Sequence, residues 1–110
     1  MELETKTLNG VSTLVLDGRF DAFETVAVTG WFDKNIKEGQ AKVVIDLAGV
    51  NFLDSAALAT LVKGMKRCRE HGGDLYLCAM QQPVRIIFEL TRLDKAFKIF
   101  PDAASASGAF

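Results

Sequence analysis

The sequence predicts a single α/β domain with a mixed sheet of four to five strands, and three observations support this prediction. Short β-branched apolar runs alternate along the chain with longer segments that carry the apolar spacing of a helix. Asn9-Gly10 separates two alternating apolar runs, which is the strongest short-range signal for an antiparallel hairpin. The 110 residues are enough for one domain, spanning 1–110, to bury a core without disulfides or metal. Because strands that alternate with helices favour parallel pairing, a sheet that also contains a hairpin is mixed.

In the first part of the chain, strands are predicted over residues 3–8 and 11–16, and the polar, Gly-containing segment 17–21 is expected to end the second strand. A helix is predicted over residues 23–37. Its expected apolar face consists of Phe23, Val26, Ala27, Gly30, Trp31 and Ile36.

In the second part, the pattern predicts a strand at 43–47, a helix at 55–71, a strand at 75–79, a helix at 83–92 and a short strand at 97–100. The core side of the 55–71 helix is expected to carry Leu58, Leu61, Val62 and Met65. Residues 101–110 are rich in Ala and Ser, which is compatible with a short frayed helix or a flexible end.

The apolar residues of the 83–92 helix allow two interpretations. Val84, Ile87 and Phe88 are expected on its buried side. Ile86 and Leu90 are assigned to the same wide core stripe, because apolar stripes commonly exceed 100°. The alternative is that Ile86 and Leu90 are exposed and form part of a partner surface.

Composition and charge exclude several classes of protein. A net charge of −1 provides no general attraction to a phosphate backbone, so nucleic acid is not expected as a direct partner. The N-terminus lacks the apolar region of a secretory signal, and no apolar run reaches the length of a membrane span. Cys68 and Cys78 are too few for a disulfide scaffold and are expected to be buried free thiols. We therefore expect a cytoplasmic protein that does not insert into membranes.

Catalytic chemistry has little support in the sequence. His71 is the single histidine, so Ser55 lacks an evident general base and no His-rich metal site can form. Glycine patterns typical of phosphate-binding or dinucleotide-binding loops are absent. We expect a protein that is not an enzyme and that needs no cofactor or metal.

The pair Asp54-Ser55 stands where the strand–loop segment meets the predicted 55–71 helix. Either residue is a preferred helix cap, and a cap alone would explain their presence. A serine at this position is also accessible, has an acidic neighbour and can place a phosphate against free backbone N–H groups. The pair therefore suits either a structural cap or a switch.

The run from Asp46 to Leu58, DLAGVNFLDSAAL, resembles the signature of the STAS domain found in bacterial anti-sigma factor antagonists. The Gly72-Gly73-Asp74 segment with its following strand and the closing segment 84–100 also resemble that family, so the resemblance covers about residues 3–102. Two alanines, Ala56 and Ala57, stand where many members have Ser and Gly, and Ala48 replaces a common Ser. These differences concern the identity of the partner more than the presence of a switch.

The resemblance implies a STAS fold with helices packed mainly on one side of the sheet, and an anti-sigma factor antagonist that is a monomer or weak dimer. An anti-sigma factor that is also a serine kinase would bind the unphosphorylated form and use ATP to phosphorylate Ser55, and a serine phosphatase would reset the system. The implied partner-binding residues are Asp21, Asp54, Ser55, Ala56 and Ala57. Two alternatives remain: a constitutive STAS subunit of a larger complex, such as a lipid-transport ATPase, and a module that senses a ligand in its loop crevice.

Overall fold

The computed structural model describes residues 1–110 and contains one five-stranded sheet with the order β1-β2-β3-β4-β5. The strands are Glu2–Leu8 (β1), Val11–Phe20 (β2), Lys42–Leu53 (β3), Asp74–Cys78 (β4) and Ile99–Phe100 (β5). The α-helices are Thr25–Asn35 (α1), Ser55–Glu70 (α2), Gln82–Leu90 (α3) and Ala103–Gly108 (α4). Single 3-10 turns lie at Ala22–Glu24 and Leu93–Lys95. β1 and β2 pair antiparallel and the other neighbours pair parallel, which confirms the predicted mixed α/β sheet.

The hairpin between β1 and β2 turns at Asn9-Gly10, as the sequence predicts. Asn9 has φ 54° and Gly10 has φ 78°. Both central residues of a type I′ turn need positive φ, which is why this dipeptide is favoured there.

Helices α1, α2 and α3 pack on one face of the sheet, and α4 packs on the other. Val43 and Ile45 of β3 belong to the main core, whereas Val44 belongs to a smaller core with Ala106 of α4. This alternation follows from the two-residue side-chain period of a strand. The face of α2 is as predicted, because Leu58, Leu61 and Met65 are buried and Val62 packs partly buried against the core. None of the four helices combines the length and apolar content that crossing a bilayer requires.

The predicted apolar face of α1 is wrong at its N-terminal end. Phe23 is 90 % exposed and Val26 is 78 % exposed, whereas Val28, Trp31 and Phe32 are buried. Residues 22–24 form a 3-10 turn before the helix starts, which changes the direction in which this end of the segment faces. The two large aromatic side chains then bury more apolar area than Phe23 and Val26 could, and Trp31 also donates a 2.7 Å hydrogen bond from Nε1 to Thr5 Oγ1.

The favoured assignment of Ile86 and Leu90 to the core is also wrong. Val84 and Phe88 of α3 are fully buried, while Ile86 is 43 % and Leu90 79 % exposed. The buried stripe of this nine-residue helix is therefore narrow, with its fully buried positions one turn apart.

The C-terminal segment forms a packed helix rather than a flexible end. Asp102 caps α4 by accepting a 2.7 Å hydrogen bond from the Ser105 N–H at Oδ1. Ala106 is fully buried, and the Phe110 ring stacks on Tyr76 with 4.0 Å between centroids. These contacts cover part of the second sheet face.

Candidate functional site

The candidate site forms where β2 and β3 end side by side. Both strands are longer than predicted, and their parallel pairing continues through register shifts to Phe20 opposite Leu53. The first residue after each strand is an aspartate, so Asp21 and Asp54 leave the sheet at the same edge. The backbone N–H of Asp54 donates to the Phe20 carbonyl at 3.3 Å, which joins the two loops.

Asp54 uses both carboxylate oxygens to hold this edge together. Oδ1 accepts a 3.0 Å hydrogen bond from the Ala57 N–H, which is the capping bond of α2. Oδ2 accepts a 3.0 Å hydrogen bond from the Ala22 N–H in the loop after β2. Of the two candidate capping residues, the cap is therefore Asp54, and Ser55 is the first residue of the helix.

Asp21 shapes the neighbouring loop. Its Oδ1 accepts a 3.1 Å hydrogen bond from the Phe23 N–H and so caps the 3-10 turn. Its Oδ2 lies 3.5 Å from Arg19 Nε, and the Arg19 guanidinium stacks 3.6 Å above the Phe52 ring. Asp21 thus lies beside the start of α2, as the resemblance implies, with part of its charge balanced by Arg19.

The three residues after Asp54 differ in their exposure. Ser55 is exposed, Ala56 is partly exposed and Ala57 is fully buried. Ala57 packs in the main core, so the expectation that it contacts a partner is wrong. Its methyl group instead packs beneath the start of α2. Among the expected partner-binding residues, Asp21, Asp54, Ser55 and Ala56 share one surface.

The first turn of α2 provides a positive electrostatic environment next to two carboxylates. The first N–H groups of a helix lack intrahelical partners, and Asp54 accepts from those of Ala57 and Leu58 through its side chain and its carbonyl. The N–H groups of Ser55 and Ala56 remain as donors at the helix end, where the macrodipole also favours negative charge. A group attached to the Ser55 hydroxyl would meet both these donors and the nearby carboxylates.

An exposed apolar surface adjoins this site and was missed in the sequence. Phe23 and Val26 project from the 3-10 turn and the first turn of α1, directly after the loop that Asp54 holds. A shallow groove of about 430 Å³ continues from Val26 between α1 and α2, where Thr60 and Lys63 line its α2 side. The available signal was that residues 23–32 contain two competing apolar faces, only one of which a single helix can bury.

The structure describes no group of three or more His, Cys, Asp or Glu side chains positioned to hold a metal ion. Cys68 and Cys78 are both buried and free. Burial, reinforced by Asp74 near Cys68 and Asp46 near Cys78, raises the pKa of each thiol from 9.0 to about 12. The thiols are therefore protonated at neutral pH, which disfavours nucleophilic or metal-binding roles.

Comparisons with known proteins agree with the family resemblance and with the fold. The model of the STAS domain family matches residues 2–106. BtrV of Bordetella bronchiseptica, a candidate anti-sigma factor antagonist, is 24 % identical over 110 residues, covering 100 % of this chain and 95 % of BtrV. The anti-sigma F factor antagonist of Paenibacillus polymyxa is 24 % identical over 107 residues, covering 96 % of this chain and 92 % of the relative.

Among solved structures, a candidate anti-sigma factor antagonist from Thermotoga maritima superposes with a TM-score of 0.91 at 24 % identity. The superposition covers 97 % of this chain and 92 % of the Thermotoga chain. A family model that spans nearly all of the sequence agrees here with a shared architecture. The chain therefore belongs to the STAS domain family, in which its relatives include proteins named anti-sigma factor antagonists.

Proposed function

We propose that this chain is an anti-sigma factor antagonist that acts in the cytoplasm as a phosphorylation-controlled binding switch rather than as an enzyme. Its unphosphorylated form binds an anti-sigma factor that is also a serine kinase, and this binding releases the regulated sigma factor. Transfer of the ATP γ-phosphoryl group to the Ser55 hydroxyl ends the interaction, and a serine phosphatase restores it.

The observation that carries the proposal is that Ser55 is exposed and has no structural task. Asp54 caps α2 through its own carboxylate, so the helix does not need the Ser55 hydroxyl as a cap. The structure gives this hydroxyl no hydrogen-bond partner, which leaves it available to a kinase. A purely structural explanation of the serine, in which its side chain caps the helix, loses its main support.

The exposed apolar side chains beside Ser55 supply a contact surface for a protein partner. Phe23 and Val26 are large hydrophobic residues that are 90 % and 78 % exposed. Large aromatic residues in the centre of a contact contribute much of the binding free energy at protein interfaces. An interface centred on Phe23, Val26 and Ser55 would bury apolar area and enclose a neutral hydroxyl.

Phosphorylation would change this surface without removing the fold. A phosphate adds about −1.5 to −2 charges at neutral pH and three acceptor oxygens. The N–H groups of Ser55 and Ala56 and the α2 dipole would stabilise it in part. At the interface, however, the new charge would have to be desolvated next to Asp54 and near Asp21, which disfavours binding.

Mass spectrometry of a kinase reaction tests the phosphorylation step. The chain is incubated with the purified cognate anti-sigma factor and ATP, and phosphopeptides are assigned. We expect one phosphate, on Ser55, none on Ser55→Ala, and normal incorporation into Ser105→Ala, which changes an exposed serine of α4. Absence of phosphate from the wild type, or phosphate that persists in Ser55→Ala, would contradict the proposal.

A further inference from the structure

The sheet face opposite α1–α3 is only partly covered. α4 is six residues long and packs mainly over the β3–β5 side. A groove of about 590 Å³ remains between α4, the β1–β2 hairpin and β3. This volume lies within the range of small-molecule sites, about 300 to 1,000 Å³.

The groove has a largely apolar floor that includes one hydroxyl group. Val11, Thr13 and Val15 of β2 line it, and Ala104 and Gly108 of α4 form part of the opposite wall. Thr13 is 7 % exposed and lines the groove. Its hydroxyl group can donate a hydrogen bond to a molecule in the groove or accept one from it.

The charges around the groove favour an anion. Lys6 of β1, which pairs with Thr13 across the hairpin, and Lys42 at the start of β3 both line the groove, and neither forms an ion pair. Asp46 is the single carboxylate of the lining, and its Oδ1 already accepts a 3.0 Å hydrogen bond from the Ala48 N–H. Two unpaired ammonium groups above an apolar floor suit a molecule with one negatively charged end and an apolar body.

We propose that this groove binds a small carboxylate with an apolar chain, of the class of medium-chain fatty acids. The chain of the ligand lies over Val11 and Val15, and its carboxylate is attracted by Lys6 and Lys42 and accepts a hydrogen bond from Thr13. The site lies on the opposite face of the sheet from α2, so it is independent of the proposed switch at Ser55.

The test is titration of the full chain with octanoate, followed by ¹H–¹⁵N NMR, with 1-octanol as the uncharged probe. We expect saturable chemical-shift changes confined to β1, β2, β3 and α4. Octanol should bind about tenfold more weakly than octanoate, because it cannot form the two exposed ion pairs with the lysines. The double variant Lys6→Gln/Lys42→Gln should weaken octanoate binding about tenfold, and Thr13→Val should weaken it while preserving side-chain shape. The matched double variant Lys63→Gln/Lys66→Gln on α2 should bind octanoate as the wild type does.

Several results would overturn the proposal. One is the absence of saturable octanoate binding, and another is a set of shifts centred on α1 and α2. Equal affinities for octanoate and octanol would show that the lysines do not attract the carboxylate. An octanoate affinity that neither the lysine variant nor Thr13→Val changes would show that these side chains do not bind the ligand. Groove shifts that grow with protein concentration in the absence of octanoate would identify the face as a contact between two copies.

Discussion

Asp54 connects the fold to the proposed function at the scale of a single residue. One carboxylate oxygen starts α2 and the other holds the loop after β2. The same side chain therefore fixes where Ser55 begins its helix and where the loop that leads to Phe23 lies. A change at Asp54 should alter stability as well as the geometry of the binding surface.

Asp54→Asn should destabilise the protein by about 1–2 kcal/mol. Asparagine has one acceptor oxygen, so it can accept from Ala57 or from Ala22, and its NH₂ group then faces the other N–H donor. The free energy of unfolding in urea measures the effect. Asp102→Asn is the matched control, because that cap accepts one backbone hydrogen bond and should lose less stability. Equal losses for the two variants would contradict the double role of Asp54.

The buried thiols predict a loss of stability in alkali. In the unfolded chain Cys68 and Cys78 ionise near pH 9.0, whereas in the folded protein their pKa is about 12. Between these values the folded state keeps protons that the unfolded state releases, so stability is complete below pH 9 and falls as pH rises. Each thiol should contribute a slope of about 1.4 kcal/mol per pH unit.

Urea unfolding from pH 8 to pH 11 measures this slope. The double variant Cys68→Ala/Cys78→Ala is less stable at every pH because it leaves small cavities, but it should lack the thiol contribution to the slope. Identical pH slopes for the wild type and the double variant would show that the thiols ionise as easily in the folded protein as in the unfolded chain.

At the scale of elements, the orientation of α1 decides whether the proposed contact surface exists. Phe32 is 3 % exposed and its ring packs against Gly64 of α2, where an added Cβ would lie 2.5 Å from a ring carbon. Phe23, nine residues earlier in the sequence, is 90 % exposed. The two phenylalanines therefore provide a matched pair for testing the orientation.

Phe32→Ala should destabilise the protein by about 3–5 kcal/mol, because it leaves a large cavity between α1 and α2. Phe23→Ala should change the free energy of unfolding by less than about 0.5 kcal/mol, as for other surface residues. Chemical denaturation of both variants measures the difference. A large loss for Phe23→Ala together with a small loss for Phe32→Ala would restore the helix face predicted from sequence.

The sequence was most informative where an element has one unambiguous apolar stripe. Leu58, Leu61 and Met65 identified the buried face of α2 because polar residues fill its other side. The segment before it contains apolar residues on two faces, and the 3-10 turn that selects one of them depends on Asp21 accepting from the Phe23 N–H. Which of the two faces is buried also depends on packing against α2 and β1. The spacing of apolar residues within the segment gives no information about these distant contacts.

The same limit applies to the ends of the strands. Segment 17–21 contains Gly and charged residues and was expected to end β2, yet β2 continues to Phe20 because β3 pairs alongside it. Pairing with a distant strand overrides the weak local preference of such residues.

At the scale of the whole molecule, parallel pairing explains why the site forms. Asp21 and Asp54 are far apart in sequence, and only the pairing of Phe20 with Leu53 brings their loops together. Capping chemistry identified Asp54 and Ser55 locally, whereas Asp21 was found through family resemblance. The carboxyl edge of a parallel sheet is a common position for functional sites, since loops from several strands meet there.

The switch itself is tested most directly by the affinity of the purified anti-sigma factor for Ser55 variants. Because Asp54 provides the cap, Ser55→Ala loses no capping bond and should bind within about twofold of the wild type. Ser55→Asp introduces a charge into the contact and should bind at least about tenfold more weakly, a difference of about 1.4 kcal/mol. Ser105→Asp, with the same charge on an exposed residue of α4, is the control and should bind normally.

Isothermal titration calorimetry of these variants, with circular dichroism to establish that each is folded, provides the decisive comparison. We expect strong binding by the wild type, Ser55→Ala and Ser105→Asp, and weakened binding only by Ser55→Asp, which remains folded. Equal affinities for Ser55→Asp and Ser55→Ala would contradict the switch and favour a constitutive subunit.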